Sequence, residues 1–515
     1  MHFKTLSFRW LLLNIRNYSV SLVKLFILIN LLILINACSV FTTARKQKAS
    51  FIKKIYNGNI NKVSEPLYKK GVSSKNSTDE LSWMLESGYV LFEAGHYEKS
   101  LQAFQRCETV IKDYEKRALI STRDITQESA VLATNLNSLP YKGRFVDKSM
   151  LYIFTALNYF ALQKTEDALV EIRKMREYQK KVLKTYLSTI KKEEKEIENL
   201  QNLNKQKAKT HSKSSISFEQ LKKQKAVKEA MENSSVIAHT RYGAFANPLV
   251  SYFSALGYLI ENNYTEALVD FRNLYKMEPE NNLVKRTFVT LAHATGSEIP
   301  EELKEVEPYN FSLNDKIVFV LFFNGRGAAL KTKKFQMVLP FVGYTGIAFP
   351  VYEFFNDQTN NLEISFSLNK KEKSEPLENI ADIDAVVLNE YNSDFPKMIT
   401  RIVTSTLVKE TASYAAVLAA RRAGNGFGIA AMALTGFYKY LFNTADTRSW
   451  ETLPKEVAVA QFPYSDDRKV MFSFPKSKGK IKNKVIELKD SSRISIIYIR
   501  AFNQNKFFFK RFDVY

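Results

Sequence analysis

Five histidines and two cysteines are the side chains best suited to metal or nucleophilic chemistry: His2, His96, His211, His239, His293, Cys38 and Cys107. Their spacing supports neither. No pair of histidines stands at HExxH spacing and no CxxC occurs, so no metal site is expected. No GxSxG elbow is present, and Cys107 has no base near it in sequence, so no catalytic residue or cofactor is assigned. The octapeptide Gly325 to Thr332, GRGAALKT, follows an apolar run as a phosphate-binding loop would. Such a loop needs glycine just before its lysine, and Leu330 stands there, where its side chain obstructs the backbone's approach to phosphate. A strand-ending turn that presents basic residues is the simpler reading. Gly424-Asn-Gly426-Phe-Gly428 lacks the leading strand that a dinucleotide fingerprint requires. The most distinctive polar cluster is Asp446, Arg448 and Trp450. An Arg–Asp pair beside a tryptophan is expected to lock the glycine-rich segment before it to the strands after it, with binding as the other reading.

Cys38 has a different chemistry on offer. Lys4, Arg9, Arg16 and Lys24 precede it with no acidic residue, and Leu25 to Ala37 is a 13-residue apolar run. A basic start, a short apolar stretch and a small residue before the cut describe a secretory signal over 1–37. The run is short for a spanning helix, which needs about 20 apolar residues. Ile35-Asn36-Ala37-Cys38 resembles the lipobox of bacterial lipoproteins, which implies cleavage before Cys38 and lipid on its sulfur. An uncleaved N-terminal anchor is the other reading. Ser39 stands where an inner-membrane retention signal would show Asp, and this favours the outer membrane, facing the periplasm. Residues 38–62 are polar and basic and read as a tether.

The elements that would carry these residues fall into two halves. With 515 residues, 45% of them hydrophobic, the chain can bury more than one sizeable core. Net charge is +22, but the lysines are spread along the chain, so nucleic acid is not expected as a partner. Two cysteines exclude a disulfide framework.

Within 63–308 the spacing resembles tetratricopeptide repeats. The first copy carries Gly88, Leu91, Gly95, Tyr97, Ser100, Phe104 and Cys107, with small residues where two helices cross and aromatics in the groove between them. The second carries Ala156, Tyr159, Ala168, Ile172 and Met175. The third carries Ala255, Tyr258, Tyr264, Ala267, Phe271 and Leu274, with Pro279 ending it. Residues 174–232 form a charged helical insertion. Generic amphipathic helix pairs would give nearly the same pattern.

Residues 309–515 are expected to form an α+β domain ending in a small sheet or sandwich packed on the helices. Predicted strands are Ile317–Phe323, Tyr344–Phe355, Leu362–Leu368, Val457–Phe462, Val470–Phe474, Val485–Leu488 and Ile494–Phe502. Asp394–Arg422 has helical spacing. Gly424–Phe442 is read as a buried helix, with a membrane-touching hairpin as the alternative.

Taken in order, these blocks resemble a little-characterised family of bacterial envelope lipoproteins with tetratricopeptide-like repeats. The resemblance rests on Gly88–Cys107, the stretch from Ala168 to Arg173, Asn324-Gly325 with Lys331, Ala348 to Tyr352, Arg401 with Lys409, and the peptide ADTRSWETLP from Ala445 to Pro454. It implies an envelope lipoprotein without an assigned activity. The expected function is a lipid-anchored scaffold that binds other envelope proteins through its helical repeats. The alternatives are a nucleotide-binding protein or enzyme using 325–332, and a pilotin-like chaperone for an outer-membrane complex.

Overall fold

The computed structural model describes residues 44–121, 139–185, 242–243, 245–339, 343–359, 362–395, 398, 402, 445–476 and 480–515. The signal segment, Cys38, residues 186–232 of the charged insertion, Arg401, Lys409, most of Asp394–Arg422 and all of Gly424–Phe442 lie outside the described residues.

The chain enters through α1 (Ala44–Tyr56) and α2 (Ile60–Ser73). From residue 44 onward, this corrects the tether expected over 38–62. Ile52, Ile55 and Tyr56 are buried, and so is the side chain of Lys48. The lysines that made the segment look solvated lie mostly on one face of α1, while its apolar residues face the body.

Three helix hairpins follow: α3 (Glu80–Glu93) with α4 (Tyr97–Ser121), α5 (Phe145–Ala161) with α6 (165–185), and α7 (Pro248–Ile260) with α8 (Tyr264–Met277). Each turns on a residue of positive φ: Gly95 at +83°, Gln163 at +60° and Asn262 at +57°. In each, the next amide donates to the carbonyl five residues back, His96 to Leu91, Lys164 to Tyr159 and Asn263 to Tyr258, at 2.8–2.9 Å. That closure satisfies carbonyls left over at a helix end. Measured from these turns, Gly88, Ala156 and Ala255 share one offset, and Ser100, Ala168 and Ala267 another; all six are buried. Phe104, Ile172 and Phe271 share a third offset and are buried too. A Cβ on Gly88 would come within 2.4 Å of the Phe104 ring, which shows how closely α3 and α4 cross. Tyr97 and Tyr258 are half-buried, Gly95 is exposed in its turn, and Pro279 lies just past the end of α8. Helix α9 (Asn282–Thr295) completes this layer, with the Asn281 side chain accepting from the Val284 amide at its start.

Among the described residues, the second half builds three sheets. The largest has five strands in the order β11-β10-β1-β7-β6, comprising β1 (Ile317–Asn324), β6 (Glu378–Asp382), β7 (Glu456–Pro463), β10 (Ile494–Asn503) and β11 (Lys506–Val514). Its β1 and β10 run parallel, Phe319 opposite Ile496. A two-stranded ribbon pairs β2 (Ala329–Leu339) with β3 (Gly343–Glu353). A four-stranded sheet runs β5-β4-β8-β9, from β4 (Glu363–Leu368), β5 (Lys371–Ser374), β8 (Lys469–Lys476) and β9 (Lys480–Glu487). Helix α10 (383–395) follows β6 directly.

Strand β1 is buried along its whole length because both faces of its sheet are covered. Phe319, Leu321 and Phe323, with Ile496 and Tyr498 of β10, join the core of the helices. Val318, Val320 and Phe322, with Ile497 and Ile499, pack against Ile364, Phe366, Val470 and Phe472 of the four-stranded sheet. The fold is therefore α+β in three layers, helices on sheet on sheet, and the helical core continues across residue 308 into β1 without a break.

Candidate functional site: a buried polar junction

Between the helices and the central sheet runs the peptide from Ala445 to Lys455. It is neither helix nor strand, and residues 447–454 are all buried. An irregular buried segment must find partners for its backbone polar groups, and this one draws them from many elements. Lys48 of α1 donates to the Ser449 carbonyl at 2.9 Å, and Tyr56 donates to the Glu451 carbonyl at 3.1 Å. Glu86 of α3 accepts from the Glu451 amide at 2.8 Å and from the Thr452 hydroxyl at 2.6 Å. Gly327 donates to the Leu453 carbonyl at 2.9 Å, and Lys455 donates to the Asn324 carbonyl at 2.9 Å.

Arg448 and Asp446 do form the expected pair, at 2.8 and 2.6 Å through two nitrogens. Their further partners correct the sequence reading. Arg448 also donates to the Thr78 carbonyl at 3.0 Å, to Asp79 at 3.2 Å and to the Leu139 carbonyl at 2.8 Å. Trp450 packs its ring against Tyr89, Phe104 and Phe154. The cluster thus fastens this peptide to the helical hairpins rather than to the final strands. A guanidinium offers five donors and takes whichever acceptors surround it, so spacing along the chain could not reveal which element supplies them.

The glycines of the GRGAALKT segment pack against protein. Gly325 has φ +68°, and a Cβ on Gly327 would lie 2.8 Å from the Pro454 carbonyl oxygen. The close backbone approach that glycine permits is thus taken up by the 453–454 peptide. The turn leads into strand β2 and not into a helix, so no helix N-terminus faces it. Lys331 lies 3.3 Å from Glu353.

Several members of the junction were not anticipated. Arg500 on β10 is fully buried, donating to the Tyr89 hydroxyl at 2.6 Å and to the carbonyls of Phe323 and Ala501 at 3.1 and 2.6 Å. Glu93, also on α3, accepts from the Tyr498 hydroxyl. Glu86 and Lys48 form an ion pair at 3.0 Å, each side chain 1% exposed. The legible signal was a lone arginine within the apolar run ISIIYIRAF, because a central strand buried on both faces admits a charge only with dedicated partners.

Burial sets the electrostatics. It pushes Glu451 up to about 7, in spite of Arg326 at 3.6 Å and Arg45 at 4.0 Å. It pushes Glu390 up to about 7 as well, although that carboxylate accepts from the Phe145 amide at 2.7 Å at the start of α5. Asp384, bonded to the Ala328 amide and to Lys455, rises to about 6, again through burial. Carboxylates held near neutrality suit proton transfer, yet Asp384 faces little free space. The cavity lined by Arg144, Asp147, Tyr352, Asp384 and Ser449 measures about 10 Å³, enough for roughly one water. Among the described residues, Arg144 Nε and Ser449 Oγ, both buried there, have no hydrogen-bond partner. Cys107 is buried and its thiol is pushed well up by burial, which makes it unreactive. Among the described residues no three His, Cys, Asp or Glu side chains could share a metal ion, and no helix is long and apolar enough to cross a membrane.

What the arrangement does chemically is hold elements together. Compared with protein-family models, curated proteins and solved structures, the chain matches none.

Proposed function

We propose that this chain is a lipid-anchored bacterial envelope protein, fixed to the outer membrane through Cys38 and facing the periplasm, where it serves as a scaffold for other envelope proteins. One observation carries the reading: the lipobox-like Ile35-Asn36-Ala37-Cys38 stands only six residues before α1, which is itself built into the body. Six residues can reach at most about 20 Å, so an acyl chain on Cys38 keeps the folded body close to the head groups instead of on a long leash. Two or more acyl chains make such an anchor durable. The helical face supports the scaffold half of the reading. A groove of about 360 Å³ between α4, α5 and α6 is lined by Ile111, Leu151, Tyr152 and Tyr178 with lysines and glutamates at its rim, a mixture suited to a peptide or helix.

Metabolic labelling with a fatty-acid probe tests the anchor. Label is expected on the wild type and none on Cys38→Ser, with the variant released into the soluble periplasmic fraction. Equal labelling of both overturns the anchor. A pilotin-like chaperone is the same reading with a different client. Nucleotide binding at 325–332 is disfavoured by the strand into which the turn leads, and unchanged folding stability on adding ATP or GTP is the expected result.

A further inference from the structure

Strand β9 reads KIKNKVIE and forms the outer edge of the four-stranded sheet; among the described residues it pairs only with β8. Side chains alternate between the faces of a strand. Lys482 stands opposite Phe474 and Lys484 opposite Phe472, so they share the side that covers the inter-sheet core. Both are exposed at its rim, with the Lys482 ammonium 5.9 Å from the Phe474 ring. On the other side, Ile481 is 73% exposed and Val485 46%. Val485 and its cross-strand neighbour Met471 line an open groove of about 330 Å³ with Ser365, Lys469 and the carboxylates Glu372 and Asp467.

Lysines on an edge strand ordinarily prevent pairing, and here they oppose a second copy of this chain, which would set lysine beside lysine. The same charges attract a strand of opposite sign. Two apolar side chains left open on one side and lysines on the other define what that strand must look like. An added strand also alternates, so it must offer acidic residues beside Lys482 and Lys484 and apolar residues beside Ile481 and Val485. We propose that β9 is an acceptor edge for a partner segment of alternating acidic and apolar residues, which docks by extending the four-stranded sheet. Main-chain hydrogen bonds would give affinity in this mode, and the alternating side chains specificity. The proposal rests on the scaffold reading and names its partner chemistry; the label on Cys38 tests the anchor separately.

The probe is a synthetic peptide of about eight residues that alternates glutamate with valine or isoleucine, compared with one of equal composition in which the glutamates are grouped. With the full-length chain in detergent micelles, the alternating peptide is expected to bind at least about tenfold more tightly. It should also slow amide exchange across residues 480–487, and binding should weaken as salt is raised. The double variant K482E/K484E, altered only at exposed positions, should lose that peptide and gain its lysine-for-glutamate analogue. The proposal is overturned by absence of binding, by equal affinity for the grouped peptide, or by unchanged exchange across β9. Binding of phosphatidylglycerol vesicles in place of the peptide would overturn it too, by making the edge a lipid contact.

Discussion

Lys48 comes from a segment whose charge suggested solvent, yet it meets Glu86 at 3.0 Å inside the protein. Burying both ions is costly, and the geometry offsets it with the Ser449 carbonyl for the ammonium and two further donors for the carboxylate. Removing one partner leaves the other uncompensated, at about 3–5 kcal/mol. Glu86→Ala should therefore lower the midpoint of urea unfolding strongly, and a loss below about 1 kcal/mol would mean that water replaces the carboxylate. Glu451 and Glu390 give the junction a pH dependence of defined sign. Their folded-state values near 7 lie above the ordinary 4.5, so the folded chain binds protons that the unfolded chain has released. Their stabilising contribution is complete below about pH 4.5 and is lost as pH rises through 7. Melting temperature should fall between about pH 5 and pH 8, and Glu451→Gln should flatten part of that fall. An equally steep fall in the variant would remove Glu451 from the explanation.

At the scale of elements, the helix hairpins were legible, whereas of the junction only the Asp446–Arg448 pair was. Helix pairing leaves a periodic trace, since small residues must recur where backbones cross and polar turns must recur between them. Strands β1 and β10 were legible for the same reason, as unbroken apolar runs. Strand β11, with KFFFKRFDV, was missed because lysine and arginine interrupt its aromatics; β2 was missed because it begins with the basic stretch read as a turn. The junction leaves no period at all. Its partners, such as Lys48 and Ser449 or Arg448 and Leu139, lie hundreds of residues apart, and only the folded chain reveals them. The hairpin turns offer a test. Gln163 occupies the left-handed conformation that Gly95 adopts freely, and a side chain there costs about 1–2 kcal/mol, set against the greater entropy that glycine loses on folding. Gln163→Gly should raise the melting temperature modestly. A clear drop would show that the Gln163 side chain supplies a contact worth more than the strain.

For the molecule as a whole, the helices and the five-stranded sheet share one apolar core, and the 445–455 peptide is hydrogen-bonded to both. The sequence suggested a division at 308, because helical periodicity ends there and strand patterning begins. Patterning records which face of an element is buried but not what it is buried against. The face of the central sheet that holds Phe323, Tyr498 and Arg500 is covered by α3 and α5, through Tyr89, Phe92 and Phe154. Separating the halves would expose Arg500, Glu93 and the Lys48–Glu86 pair together with that apolar surface, so neither half should persist alone. Native-state hydrogen exchange of the chain against rising urea measures this most directly, by following α3, β1 and β10 separately. The expected result is that amides in all three merge into one opening with a common free energy and a common urea dependence. The contradictory result is protection of β1 and β10 that survives at urea concentrations where α3 already exchanges freely.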